Sequence, residues 1–374
     1  MKVIKMINSL DFGGIEKVFE IAARYYDGDK AQVLFVALGR GGAVEKAIRG
    51  MGYRVVVLDY NTRIPNFRLI VRLVRLLREE RPGVVHTTGA EANFHGILAA
   101  YLAGIHVRIA EEIGMPAHGK KAKQIFKWVY SRASGVIAVA HLVEHFLLET
   151  GEVPREKLSV IYNPVDILAF SGVSKDAHND VFRILAVCRL DPIKNLDLLI
   201  NTFALLRKER KDVPLELWII GEGPERGRLE ALAEALDLDK VVTFWGYQAS
   251  PADFYKSVSL FVLPSFSEGL PVSLAEAMLT GTPCVATKIG GAPEFVQDGV
   301  NGWLIDPYDA GAFAQRLREI LDLSPEQKGL IAEKGRQTAR QLFTPDQYMS
   351  RLYTLYRDVA MGPASPRYPE GGTS

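Results

Sequence analysis

Short apolar runs separated by amphipathic stretches recur along almost the whole chain. In the first half the runs fall at 3–7, 32–38, 54–58, 84–86, 107–110, 135–139 and 158–161. Each is too short for a helix and is bounded by turn residues, which predicts strands. Between them apolar residues return every three or four positions, most clearly at 66–80, 92–102 and 124–132, which predicts helices. The second half repeats the scheme, with strands at 182–188, 215–220, 241–244, 260–263, 284–286 and 302–305. Its helices fall at 196–209, 226–236, 310–322 and 324–341. Strands that alternate with helices and read as nearly all apolar predict parallel sheets covered on both faces, an α/β class.

The pattern fails once inside the chain. Residues 166–180 are polar and aperiodic, so the expected organisation is a Rossmann-like domain over 1–168, a linker over 169–180 and a second such domain over 181–343. A last helix spans 344–361, and a Pro/Gly/Ser-rich tail over 362–374 is expected to be disordered. A length of 374 residues agrees with two cores rather than one. Two doubly wound domains facing across a cleft would receive a ligand at the carboxyl ends of their strands.

Composition adds little, and charge adds more. The net charge is +1, but residues 1–170 hold 23 Lys+Arg against 17 Asp+Glu, and the remainder holds 22 against 27. A basic first half is suited to an anionic surface. The two cysteines, Cys188 and Cys284, lie in apolar runs and read as reduced core residues of a cytoplasmic protein. The chain opens on a short strand rather than a leader pattern, and no apolar run reaches spanning length. Nothing in the pattern points to nucleic acid.

Candidate chemistry concentrates where strands end. Strand 260–263 is followed by a polar turn and a helix entered at Pro271, with Glu268 on the turn and Glu276 about a turn and a half into the helix. A helix start of this kind aims backbone N–H groups at one spot and favours an anion. Arg189 and Lys194 follow strand 182–188, where a guanidinium and an ammonium suit phosphate oxygens. Gly13 and Gly14 open the helix after the first strand and permit close approach to a ligand. Such a set suits a ligand anionic at one end and rich in hydroxyls at the other, as a nucleotide sugar is.

Other patterns read as ordinary structure. Gly221-Glu-Gly-Pro-Glu-Arg-Gly227 places its third glycine one position late for a dinucleotide fingerprint. His141-Leu-Val-Glu-His145 has the inverted zinc-protease spacing but no signalled third ligand, and a helix with two exposed histidines accounts for it. Asp27-Gly-Asp29 and Asp237-Leu-Asp239 fall in turns between helix and strand. No metal and no cofactor is expected.

Taken in order, the motifs resemble the retaining glycosyltransferases of the GT-B fold (family 4, glycosyltransferase group 1). They are Gly13-Gly-Ile-Glu16, Val160-Ile-Tyr-Asn-Pro-Val-Asp166, Arg189-x4-Lys194, Ile220-Gly-Glu-Gly-Pro-Glu225, Phe244-Trp-Gly-Tyr247, Glu268-x7-Glu276 and Asp298-Gly-Val-Asn-Gly-Trp-Leu304. The resemblance implies that Arg189 and Lys194 hold the donor diphosphate and that Glu276 accepts from ribose hydroxyls. Glu268 would lie beside the donor sugar, with the Gly269 and Leu270 amides nearby. Gly14 would approach the diphosphate, and Tyr247 would border the base. Glu268, Arg189 and Lys194 are the expected catalytic set, the last helix is expected to return to the first domain, and closure of the domains would exclude water.

One departure stands out. Family members often carry a His after the strand that here reads Arg108-Ile-Ala-Glu-Glu-Ile-Gly114, and this chain has none in that stretch. Glu111 or Glu112 would occupy the neighbourhood, where a carboxylate would steady a developing oxocarbenium ion. His86, Asn93 and His95 complete the acceptor-side candidates, for which helix capping or packing is an equal explanation. The expected partners are a nucleotide-sugar donor and a saccharide or lipid-linked saccharide acceptor. An anionic membrane surface is a further candidate, through Arg68, Arg72 and Arg75 or through the Lys- and aromatic-rich stretch 119–130. The rival readings are a nucleotide-sugar epimerase on the same fold and a sugar-nucleotide-binding protein without turnover.

Overall fold

Seven parallel strands form the first sheet: β1 (Val3–Ile7), β2 (Val33–Ala37), β3 (Arg54–Val57), β4 (Val84–Thr88), β5 (Val107–Glu112), β6 (Gly135–Ala138) and β7 (Leu158–Val160). Their spatial order is β3-β2-β1-β4-β5-β6-β7. The connecting helices are α1 (Gly14–Arg24), α2 (Ala43–Gly50), α3 (Phe67–Glu80), α4 (Ala90–Leu102), α5 (Lys120–Ser131) and α6 (His141–Glu149). The computed structural model describes residues 1–11, 13–114, 119–166, 181–248 and 251–361. The predicted linker 169–180 and tail 362–374 lie outside these.

The second sheet has six parallel strands: β8 (Phe182–Val187), β9 (Leu215–Ile220), β10 (Val242–Gly246), β11 (Leu260–Leu263), β12 (Cys284–Thr287) and β13 (Trp303–Ile305). Their order is β10-β9-β8-β11-β12-β13. The helices are α7 (Leu196–Glu209), α8 (Arg226–Ala235), α9 (Ala252–Lys256), α10 (Val272–Leu279), α11 (Ala310–Asp322) and α12 (Pro325–Leu342). Last comes α13 (Pro345–Met361). By packing, the chain divides into one unit of Met1–Val139, Glu144–Ile161 and the chain from Asp346, and another of Ala140–Val143 and Tyr162–Pro345. Both units are Rossmann-like α/β domains.

Burial on both faces explains the apolar strands. All of β1, β2, β11 and β12 is buried. In the second unit Phe203, Leu217, Ile219, Val262 and Phe313 lie in one core. In the first unit α13 completes the packing: Tyr348, Met349, Leu352 and Tyr356 meet Val3, Val84, Val107 and Ile109. Each such side chain contributes roughly 1.5–3 kcal/mol.

Several element ends shift by a residue or more from expectation, four of them for a local reason. Strands β4 and β5 run two residues past their apolar stretches, because Thr87, Thr88, Glu111 and Glu112 are polar yet buried: both threonines donate to β5, and Glu112 accepts from Asn93 of α4 and Tyr130 of α5. Helix α4 starts earlier, with Gly89 at φ 86° as its cap. Pro271 stands at the cap of α10 rather than inside its first turn, an offset of one residue.

Candidate functional site

In the second sheet the chain builds β8, β9 and β10 outward in one direction, then returns to lay β11 on the other side of β8. This reversal leaves the loops after β8 and β11 diverging at the carboxyl ends of neighbouring strands, where α/β sheets take ligands. Lys194 stands on the first loop and Glu268 on the second. Their side chains meet across it, Nζ to Oε1 at 2.7 Å, and Ser265 Oγ donates to the same oxygen at 2.6 Å. Both partners are largely buried, so the pair is held in a defined place rather than tumbling in water.

Backbone ties fix the two loops. Asn195, at φ 54°, donates from Nδ2 to the carbonyls of Pro264 (3.1 Å) and Pro307 (3.3 Å). The Phe266 amide donates to Ile193 O at 2.8 Å, and Thr287 Oγ1 donates to Ser265 O at 2.6 Å. Glycines bring further loops against them. A Cβ on Gly290, where φ is 63°, would lie 2.2 Å from Glu268 O, and Gly291 donates to Gly269 O at 2.7 Å. Cβ atoms on Gly221 and Gly223 would lie 1.8 Å from Cys188 O and 2.4 Å from Leu190 O. The first two fingerprint-like glycines after β9, Gly221 and Gly223, therefore serve backbone packing against the loop that carries Arg189.

The remaining donor-side candidates are placed as follows. Glu276 lies on α10, half-buried, and accepts from Tyr255 Oη at 2.8 Å. Burial first, and the Glu276 charge second, push the Tyr255 phenol well above its ordinary value, so it remains a donor. Arg189 is mostly exposed and paired with Asp191. Leu270 is buried. Tyr247 is half-exposed just past β10, whose Trp245 packs edge-on with Trp218 and Phe254. Ser265, Asn195, Tyr255 and the Gly290–Gly291 turn were not singled out by sequence. A Gly-Gly pair soon after a predicted strand was the available signal for the last.

In the first unit the structure gathers four of the five acceptor-side candidates into two buried networks, one on each face of β5. On the α13 face, Tyr356 Oη lies 2.7 Å from His86 Nδ1, and His86 Nε2 lies 3.2 Å from Glu111 Oε2, which also accepts from Thr88 Oγ1 at 2.7 Å. Burial keeps His86 below its usual pKa. Burial alone would raise Glu111, but His86, Lys5 and Thr88 together hold it below the usual range. The consistent assignment is Tyr O–H to Nδ1, and Nε2–H towards an ionised Glu111.

On the other face, Asn93 Nδ2 donates to Glu111 O and Glu112 Oε1, each at 3.0 Å, and Tyr130 donates to Glu112. His95 sits apart. Its Nδ1 lies 2.8 Å from Glu91 O, and its Nε2 accepts from the Asn66 amide at 3.0 Å, so it is a neutral brace for the start of α3. Asn93 and His95 thus spend their polar atoms inside the protein, His86 Nε2 faces Glu111 Oε2 at 3.2 Å, and Glu111 Oε1 has no hydrogen-bond partner among the described residues. Gly14 is different. A Cβ there would meet nothing within 4 Å, so no packing among the described residues demands glycine.

The remaining patterns are accounted for locally. Glu144 pairs with Arg155, and His145 lies 3.4 Å from Glu149. Asp29 caps the Ala31 amide, and Asp237 is a turn residue at φ 56°. Among the described residues no group of three or more His, Cys, Asp or Glu side chains is placed to hold a metal, and no helix is long and apolar enough to cross a membrane.

Comparison with known proteins agrees with this geometry. Residues 12–167 match the family model described as Glycosyltransferase Family 4, and residues 173–338 match that of Glycosyl transferases group 1. The chain is 32% identical over 210 residues to a protein of Escherichia coli K12, the putative colanic acid biosynthesis glycosyltransferase WcaL, covering 54% of this chain and 51% of the relative. It is 27% identical over 277 residues to the Escherichia coli UDP-Gal:alpha-D-GlcNAc-diphosphoundecaprenol alpha-1,3-galactosyltransferase, covering 69% and 71%. The chain spans about half the length of several of the curated relatives it matches. Among solved structures, Anabaena HepE in complex with UDP and glucose superposes with a TM-score of 0.81 at 22% identity, over 96% of this chain and 100% of that one.

Proposed function

The chain belongs to the family 4, group 1 glycosyltransferases, and from that premise we propose that it moves a glycosyl group from a nucleotide-diphosphate sugar to a hydroxyl of a saccharide, free or lipid-linked, with retention at the anomeric carbon. The observation that carries the donor side is the Lys194–Glu268 pair, which spans the reversal point of the second sheet at 2.7 Å. An ammonium held there lies where a diphosphate would enter. Its carboxylate partner and Ser265 offer acceptor and donor atoms to sugar hydroxyls. Arg189, now turned to Asp191, would exchange that partner for phosphate oxygens. The amides of Gly269 and Leu270 and the start of α10 add positive potential. These groups would supply the charge that a divalent cation supplies in other transferases.

In the proposed step the bond from the anomeric carbon to the leaving phosphate oxygen breaks, and a bond to the acceptor oxygen forms on the same face. The acceptor proton passes to the departing phosphate, whose charge Lys194 and Arg189 stabilise. The colanic acid and diphosphoundecaprenol relatives support a saccharide or lipid-linked acceptor, and the UDP complex of HepE supports a nucleotide donor. On the acceptor side, Glu111 is a candidate whose Oε1 has no hydrogen-bond partner among the described residues.

The test is turnover of a panel of nucleotide sugars with and without saccharide acceptors. Lys194→Ala is expected to lower turnover by roughly 100-fold or more, as for loss of one donor to a developing oxyanion. Glu276→Gln is expected to weaken donor binding mainly. Unchanged turnover in both would remove the assignment, donor consumption without any acceptor would favour the epimerase, and an inverted product by NMR would reject retention.

A further inference from the structure

We propose that the outer face formed by α3, the end of α4 and α5 docks the protein on an anionic lipid surface. Six large apolar side chains stand exposed there: Phe67 and Val71 on α3, Tyr101 and Leu102 at the end of α4, and Ile125 and Trp128 on α5. Their exposure runs from 42% at Ile125 to 73% at Phe67. They are not scattered. Arg78 of α3 donates to Leu102 O at 3.3 Å, and the Arg132 guanidinium lies 3.7 Å from the Trp128 ring centre and 5.6 Å from that of Tyr101. Arg108 approaches Tyr101 from another side at 5.6 Å. These contacts tie the C-terminal ends of the three helices together, and Phe67 and Val71 extend the exposed apolar surface along α3 towards its start.

Charge sets the partner. Residues 61–132 carry 12 Lys+Arg and 5 Asp+Glu. Of the five acids, Glu111 and Glu112 are buried, and Glu80 is occupied by Lys2 and Arg54. Arg68, Arg75, Lys121 and Lys127 are exposed beside the apolar side chains. Cationic heads beside half-exposed Trp, Tyr and aliphatic groups match the headgroup layer of an anionic bilayer, where the heads meet lipid phosphates and the apolar parts enter the acyl boundary. A nucleic acid would satisfy the cations but leave Phe67, Val71, Leu102 and Ile125 in water. The lipid fits both halves of the surface.

This inference stands on the first unit's surface alone and does not depend on the donor chemistry. The experiment is flotation of the full chain with vesicles of equal phosphatidylglycerol and phosphatidylcholine, against vesicles of phosphatidylcholine only. The wild-type protein is expected to float with the anionic vesicles and to be released as salt rises. Paired substitutions at exposed positions, Ile125→Ser with Trp128→Ser and Arg75→Gln with Lys127→Gln, are each expected to lower the partition coefficient about tenfold or more, with unchanged circular dichroism. Failure to float on anionic vesicles, equal flotation on neutral ones, undiminished flotation of both variants, or capture by RNA in place of vesicles would each overturn it.

Discussion

Two glycines show how differently the same residue type can be required. Gly290 holds φ 63° with its α-carbon pressed towards Glu268 O, so a side chain would push the Glu268 loop aside. Gly290→Ala is expected to cost about 2–3 kcal/mol of stability by thermal melting and to lower turnover with it. Gly14 has open space where its side chain would be. Gly14→Ala should leave the melting temperature unchanged within error and, if Gly14 borders the donor as proposed, still lower turnover. Equal turnover would remove Gly14 from the site.

Lys5 carries the clearest pH signature. It is buried in β1 with Nζ 3.2 Å from Tyr348 Oη, and desolvation lowers its pKa from 10.5 to about 8 despite the pull of Glu111. Between those values the unfolded chain holds the extra proton, so stability rises with pH across that window. Relative to Lys5→Met, wild type should therefore gain about 3 kcal/mol of stability from pH 8 to pH 10.5. Parallel melting curves for the two proteins would contradict the burial. No sequence pattern foretold this lysine, since its partners Glu111 and Tyr348 are distant in the chain. Lys194 and Glu268 were legible because each follows a strand by a short polar turn. That their side chains meet was not.

At the scale of elements, apolar pattern located the strands and fell short where polar residues were buried. Strands β4 and β5 continue through Thr87–Thr88 and Glu111–Glu112 because side-chain bonds to the neighbouring strand and to α4 and α5 replace water there, a compensation invisible to hydrophobic periodicity. Helix α13 has its own consequence. Tyr348, Met349, Leu352 and Tyr356 together contribute roughly 6–12 kcal/mol of burial to the first unit, comparable with the whole stability of a domain. A chain ending at Pro345 should therefore lose the cooperative melting of its first unit while the second still melts, as calorimetry would report. Two undisturbed transitions would show that α13 is dispensable.

For the whole molecule, alternation of strand and helix predicted two doubly wound sheets, and right-handed crossovers leave few orders for such strands. The reversal between β8 and β11 could be anticipated only as a class. Which loops would face each other there depends on strand order, which one sequence does not print. The uneven charge was legible as a sum, while its concentration on α3 and α5 needed the fold to show which cations remain exposed.

The account rests on a diphosphate being received at the Lys194–Glu268 reversal point, and calorimetric titration with nucleoside diphosphates reads that directly. Wild type should bind one nucleoside diphosphate saturably, with affinity falling about tenfold or more in Lys194→Ala. Equal affinity in wild type and Lys194→Ala, with both proteins folded, would contradict it.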